Sequence, residues 1–228
     1  MAGAVGLLAG CSPVINRAAL ISLPGSMSLA LPAGAVSQRN GTGVVELGVV
    51  KGSGAPGDDG LWGGSVSGHG VLWDFKARRA PPPPRFGLGL ITHGRLDAGG
   101  FRDELYGHAG FDAGPALVMG RVSLGAQLGY TYGGYTATGH QVGARLALIA
   151  DGGWVALRGS LGGSWWLGAS DAPASAEAFG PGWRVRGGDV GVLFGRTVAA
   201  GVTLAATRED DVTISTVLLS IGVRRSAR

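Results

Sequence analysis

The sequence predicts an all-β protein, folded as a single up-and-down antiparallel transmembrane β-barrel of about ten strands. Glycine supplies 45 of the 228 residues, about three times the roughly 7% of ordinary proteins, which disfavours helices. Charged residues make up only 15% and hydrophobic residues 45%, so the surface is poor in the ions that keep a soluble globule dispersed. Apolar and polar residues also alternate over segments long enough to cross a bilayer.

The clearest alternation runs through residues 122–132, where the even positions are apolar or aromatic and the odd positions are small or polar. A tilted strand needs roughly nine to eleven residues to cross a bilayer, and this segment has that length. The same alternation predicts strands at 142–148 and 155–167, joined by a tight turn at 151–153.

Weaker alternation predicts the remaining strands, at 45–49, 71–76, 86–90, 109–118, 183–196, 201–208 and 212–223, with a β-bulge at Gly187 and Gly188. Eight strands are the alternative count. The pattern predicts long loops at 52–69, 94–105, 133–139 and 168–182 on one side, and short turns at 78–84, 119–121, 151–153 and 198–201 on the other. Val71, Trp73 and Phe75 are expected to face lipid, and Arg95 and Asp97 to lie in an outer loop.

Charged residues on the predicted strands are assigned to the face opposite the apolar stripe, because a lipid-facing Arg near the membrane midplane costs about 2–4 kcal/mol. This assignment places nine charges in the lumen: Glu46, Asp74, Lys76, Arg121, Arg145, Arg158, Arg184, Arg186 and Asp189. Ion pairs that fill a narrow barrel explain such a set. The surplus of Arg leaves a narrow anion-preferring pore as the alternative.

The N-terminus is apolar and ends in Leu8-Ala9-Gly10-Cys11, which resembles the lipobox of bacterial lipoprotein signal peptides. The resemblance implies that Cys11 is acylated and that residues 1–11 are a truncated signal segment. Residues 12–42 are then a tether, 43–224 the barrel and 225–228 a tail. The strand and loop pattern of 43–224 resembles small Gram-negative outer-membrane barrels. That resemblance implies outer-membrane localisation with both termini in the periplasm. It also implies contact with outer-membrane lipids, including lipopolysaccharide, and with the barrel assembly machinery.

The sequence selects no catalytic, metal or cofactor site. Its single Cys and four His show no metal-ligand spacing, no phosphate-binding GxxxxGK occurs, and Lys and Arg are scattered too widely for a nucleic-acid surface. His residues near Ser65 or Ser67 form no spacing that selects a hydrolase.

We therefore expect a structural or surface-interaction protein that is not an enzyme. Three alternatives remain open at this point. They are the anion-preferring pore, a soluble lipocalin-like binder of apolar ligands, and a barrel hydrolase that acts on envelope lipids.

Overall fold

A computed structural model describes residues 41–53, 61–73, 83–101, 104–134, 138–169, 184–209 and 212–225. These residues form ten strands: β1 (Gly41–Ser53), β2 (Leu61–Leu72), β3 (Gly87–Phe101), β4 (Glu104–Met119), β5 (Val122–Gly134), β6 (Thr138–Asp151), β7 (Val155–Ala169), β8 (Arg184–Phe194), β9 (Val198–Glu209) and β10 (Val212–Arg225). No helix in this part of the chain is long and apolar enough to cross a membrane.

The ten strands form a closed barrel in which each strand pairs antiparallel with its sequence neighbours. The first and last strands close it, with Glu46 opposite Gly222 across the β1–β10 pairing. The predicted up-and-down barrel of ten strands is confirmed. We call the end that holds Gly41 and Arg225 the terminal end, and the opposite end the distal end. Two terminal-end turns require glycine, because Gly120 and Gly153 have φ of 60° and 89°.

The barrel is apolar on its outer surface and polar over the middle of its lumen, the reverse of a soluble protein. Outward side chains such as Leu88, Leu128 and Leu161 are 78%, 74% and 71% exposed. Inward Glu46 and Asp97 are each only 1% exposed. A soluble lipocalin-like barrel needs the opposite arrangement, so that alternative is wrong. The chain is a transmembrane barrel of the kind found in bacterial outer membranes.

Aromatic side chains mark both edges of the apolar band. Trp62, Tyr130, Tyr132 and Trp165 are exposed towards the distal end, and Phe86, Trp154 and Phe194 towards the terminal end. Val155 and Trp165 lie ten residues apart on β7, which corresponds to about 25 Å along the membrane normal for a strand tilted by about 40°. That height matches the apolar band of an outer-membrane barrel.

Two predicted loops are strand in the structure. Strand β2 occupies Leu61–Leu72, where the sequence predicts most of a long loop, and β3 and β4 extend through most of 94–105. Arg95 and Asp97 consequently lie in the wall of the barrel. The last predicted short turn also shifts, from 198–201 to 195–197. The polar, Gly-rich sequence of these segments conceals the strands, because their outward faces have few large apolar residues.

Val71 and Trp73 face the interior, contrary to the prediction that they face lipid. Val71 is fully buried and packs with Ile91 and Val118, and Trp73 packs against the same cluster. Phe75 lies outside the described residues. The prediction is wrong because it assumes a polar lumen throughout, whereas the terminal end of this lumen is apolar.

The predicted bulge at Gly187 and Gly188 is absent from the described β8, since the pairings of β8 with β7 and with β9 continue through both residues without a shift. The register shifts instead in β6, between His140 and Gln141. Because β8 keeps its alternation, Asp189 faces the lumen while Arg186 shares the outward face with Val190 and Phe194.

Candidate functional site in the barrel lumen

The terminal end of the lumen is filled by small and branched apolar side chains. One buried cluster contains Val71, Ile91, Ala116, Val118, Ala147 and Ile149, and a second contains Ala156, Leu193 and Ala199. We call these two clusters the apolar plug. Protein interiors pack as densely as organic crystals, so clusters of this kind leave little room for water at this end of the described lumen.

A buried ion pair beside the plug connects the last strand to two turns. Arg224 Nη2 donates to Asp151 Oδ1 at 2.5 Å, and Arg224 Nη1 donates to the carbonyl oxygen of Gly195 at 2.8 Å. The same Asp151 oxygen accepts the backbone N–H of Gly153 at 2.8 Å. The end of β10 is therefore held against both the β6–β7 and the β8–β9 turns.

Arg158 of β7 reaches across the lumen to side chains of three other strands. Its guanidinium donates to Glu46 of β1 and to Thr203 Oγ1 of β9, the latter at 2.5 Å, and its Nη1 lies 3.2 Å from His69 Nδ1 of β2. Ser220 of β10 donates to the second Glu46 oxygen at 2.5 Å. Glu46 is 1% exposed, so this ion pair is stable only because both charged groups also accept or donate further hydrogen bonds.

Arg145 of β6 is the centre of a second group. It donates to Asp112 Oδ2 at 2.6 Å and to Gln127 Oε1 at 3.2 Å. It also contacts His93 Nδ1, which lies 3.6 Å from Asp112 Oδ2. On β3, Arg95 Nε donates to Asp97 Oδ1 at 2.6 Å, and both side chains are buried. The middle of the lumen is thus crossed by guanidinium groups that are each matched by a carboxylate.

Inward-facing glycines make room for these groups. A Cβ added to Gly129 would lie 1.7 Å from Asp112 Oδ1. One added to Gly191 would lie 2.8 Å from Arg158 Nε, and one on Gly201 would lie 3.1 Å from Glu46 Oε1. The high glycine content therefore has a specific role in this barrel, because glycines at these inward positions leave space for the large charged side chains of other strands.

The lumen charges nearly balance. Within the described part of the chain, the buried or hydrogen-bonded lumen carboxylates are Glu46, Asp97, Asp112, Asp151 and Asp189, and the guanidinium groups are Arg95, Arg145, Arg158 and Arg224. Five acidic groups against four basic ones leave no surplus of Arg, so the premise of the anion-preferring pore is wrong for these residues. The fifth carboxylate, Asp189, accepts from Ser160 Oγ at 2.9 Å.

A small cavity remains between the two arginine groups. It has a volume of about 50 Å³ and is lined by polar groups that include His69, His93, Ser160, Asp189 and Thr203. This volume accommodates a few water molecules and no continuous column of them. A further cavity of about 20 Å³ borders Asp112, Gln141 and Ser164. These two cavities of the described lumen are therefore small.

Four of the nine predicted lumen charges line the interior: Glu46, Arg145, Arg158 and Asp189. Arg121 instead lies exposed in the β4–β5 turn, because β4 ends at Met119 and β5 begins at Val122. Arg186 is exposed on the outer wall, since β8 has no bulge to reverse its alternation. Asp74, Lys76, Cys11 and the side chain of Arg184 lie outside the described residues.

The sequence reading missed several lumen residues, among them Arg95, Asp97, Asp112, Asp151 and Arg224. Their signal is alternation: on β3, His93, Arg95 and Asp97 continue the odd positions opposite the apolar Leu88 and Leu90. Extending that period of two beyond 86–90 identifies the three residues on β3, namely His93, Arg95 and Asp97. No group of His, Cys, Asp and Glu among the described residues could hold a metal ion.

No protein-family model matches this sequence, and no curated protein matches it. Among solved structures, the chain is similar to the crystal structure of Ail, the attachment invasion locus protein of Yersinia pestis. That match has 15% identity and a TM-score of 0.35, and covers 81% of this chain and 99% of Ail. The backbone structure of the same protein in a phospholipid bilayer nanodisc matches with 13% identity and a TM-score of 0.37, at the same coverage. No function follows from a likeness at these scores.

Proposed function

We propose that this chain is an outer-membrane barrel with a closed lumen, which serves a structural or surface-interaction role and neither conducts solutes nor catalyses a reaction. The observation that supports this proposal is the filled interior: an apolar plug at the terminal end, two arginine groups across the middle and a cavity of about 50 Å³. The charges of the two arginine groups are buried in hydrogen-bonded networks, and such networks rigidify a protein interior. This supports a structural barrel over a transport path.

Planar bilayer recordings test the closed lumen. We expect the wild-type barrel to produce no conductance steps, because water-filled space is confined to small cavities. The matched variant replaces Ile91 and Ile149 of the plug with Ala and opens the terminal end, so we expect it to conduct. Anion-selective steps from the wild-type protein would contradict the closed lumen and restore the pore.

The histidine contacts support a non-catalytic role. His69 lies against Arg158 and His93 against Arg145 and Asp112, inside the closed lumen and away from the loops where an envelope lipid would enter. Ser160 Oγ donates a hydrogen bond to Asp189. A serine hydrolase pairs its hydroxyl with a histidine base at a site that the substrate can reach, whereas Ser160 is paired with a carboxylate inside the lumen.

Acylation of Cys11 is a separate proposal, supported by the lipobox-like Leu8-Ala9-Gly10-Cys11. Acyl chains add about 0.8 kcal/mol of membrane attachment per buried CH₂ group, and would anchor the segment before β1 to the periplasmic leaflet. We expect the protein to incorporate labelled palmitate in Gram-negative cells and Cys11→Ala to abolish the label while the barrel still folds. Equal labelling of the two proteins would disprove the anchor.

A further inference from the structure

The wall of the larger lumen cavity holds three buried polar atoms to which no described residue forms a hydrogen bond. They are Ser67 Oγ, Arg95 Nη2 and Gln127 Nε2. Their residues line the cavity of about 50 Å³ between the two arginine groups, and their exposed fractions are only 2%, 7% and 2%. Nearly all buried polar groups in folded proteins are hydrogen-bonded to protein or to ordered water. These three atoms therefore point to a small polar molecule in the cavity.

Two of the three atoms can only donate hydrogen bonds. Arg145 Nε lies 3.2 Å from Gln127 Oε1. Because a guanidinium has no acceptor, Gln127 must present its amide oxygen to Arg145, which leaves Nε2 as a donor on the other side. Arg95 Nε donates to Asp97, and Arg95 Nη2 is a further charged donor. The bound molecule must therefore accept hydrogen bonds from an amide and from a guanidinium.

The charges around the cavity favour water over an anion. The guanidinium groups that line it, those of Arg95, Arg145 and Arg158, each pair with a carboxylate. Asp189 also lines the cavity and accepts from Ser160, so negative charge is in surplus there, and a carboxylate has sites for about four hydrogen bonds. A chloride ion would add negative charge to this buried site and donates no hydrogen bond. Water both accepts and donates.

We infer that the cavity binds a fixed cluster of roughly two to four water molecules, which accept from Arg95 and Gln127, donate to Asp189 and join the two arginine groups into one hydrogen-bonded network. The volume sets this number, because a buried water needs about 10–15 Å³ of such space and occupies about 30 Å³ in the liquid. The inference rests on the proposed closed lumen, since water in an open channel exchanges freely with the bulk. It identifies bound water as a structural part of the barrel.

Oxygen-17 magnetic relaxation dispersion of the folded full-length barrel in detergent detects water that stays bound for longer than the micelle takes to tumble. We expect a clear dispersion from the wild type, and about half its amplitude or less from Ser67→Val and from Gln127→Leu, which each remove a hydrogen-bonding group from the cavity wall. The matched control is Ser123→Val, because Ser123 is a buried serine of β5 that lines neither lumen cavity. We expect it to keep the wild-type amplitude.

Two results would overturn the water cluster: no dispersion from the wild type, or unchanged amplitude in every folded cavity variant. Unfolding in urea with sodium chloride or sodium gluconate at equal ionic strength tests for an anion. We expect equal midpoints, and a chloride-specific stabilisation that Gln127→Leu abolishes would replace the water cluster with an anion site. Conductance is recorded separately. A wild-type barrel that conducts disproves the closed lumen, whereas one that neither conducts nor retains slow water disproves only the cluster.

Discussion

Replacing Glu46 with Gln is expected to lower the free energy of unfolding by about 3–5 kcal/mol, the range for breaking a buried ion pair on one side. The change keeps the shape of the side chain but removes the charge that neutralises Arg158. Arg158 would then remain in the lumen beside Thr203 and His69, and neither of them carries a negative charge. Urea unfolding of the refolded barrel in detergent, followed by tryptophan fluorescence, measures the loss.

The double variant Glu46→Gln/Arg158→Met separates this electrostatic effect from a packing effect. Removing both charges should recover most of the lost stability, because a buried pair replaced by uncharged groups of similar volume is often neutral. If the loss in the free energy of unfolding of the double variant equals the sum of the losses of the two single variants, the two residues do not act as a pair. The lumen network would then contribute nothing to the barrel beyond packing.

Replacing Leu161 with Arg is expected to lower stability in bilayers by about 2–4 kcal/mol, the cost of a lipid-facing Arg near the midplane. Leu161 is 71% exposed and lies between Trp154 and Trp165, the aromatic residues that mark the two edges of the band on this part of the wall. Assembly into phospholipid vesicles, read as the change in electrophoretic migration between folded and unfolded barrels, reports the loss.

The control at the same position is Leu161→Ala, which removes apolar area without adding a charge. It should cost far less than Leu161→Arg in vesicles. Equal losses from the two variants would mean that position 161 does not face lipid, and would contradict the assignment of the outer face along β7.

The alternation of β5, β6 and β7 could be predicted to the residue, because their outward positions hold Leu, Val, Tyr and Trp while their inward positions hold Gly, Ser, Gln and Arg. On these strands burial follows the predicted faces. Strand β2 could not be predicted in the same way. Its outward positions include Gly64, Gly68 and Gly70, so the apolar stripe that identifies a face is missing there.

The pairing of charges inside the barrel could not be derived from the sequence. Arg158 contacts Glu46 and Thr203 across 112 and 45 residues of chain, and which strands face each other across a lumen depends on the tilt and stagger of the closed barrel. Gln127 illustrates the consequence. Alternation alone implies that Gln127→Arg is tolerated, yet Gln127 is 2% exposed and accepts a hydrogen bond from Arg145, so a second guanidinium there would meet the first.

The contact between Ser220 and Glu46 also bears on how the chain folds. These residues are 174 positions apart in sequence, and they lie on β1 and β10, the first and last strands, whose pairing closes the barrel. Until β10 docks against β1, Arg158 has only part of its hydrogen-bonding environment and the barrel has two open edges. Joining the edges and completing this polar cluster are therefore one event. Contacts of such long sequence separation slow folding. We also expect folding to be all-or-none, because a sheet in which β1 and β10 are unpaired lacks this cluster and gains little stability.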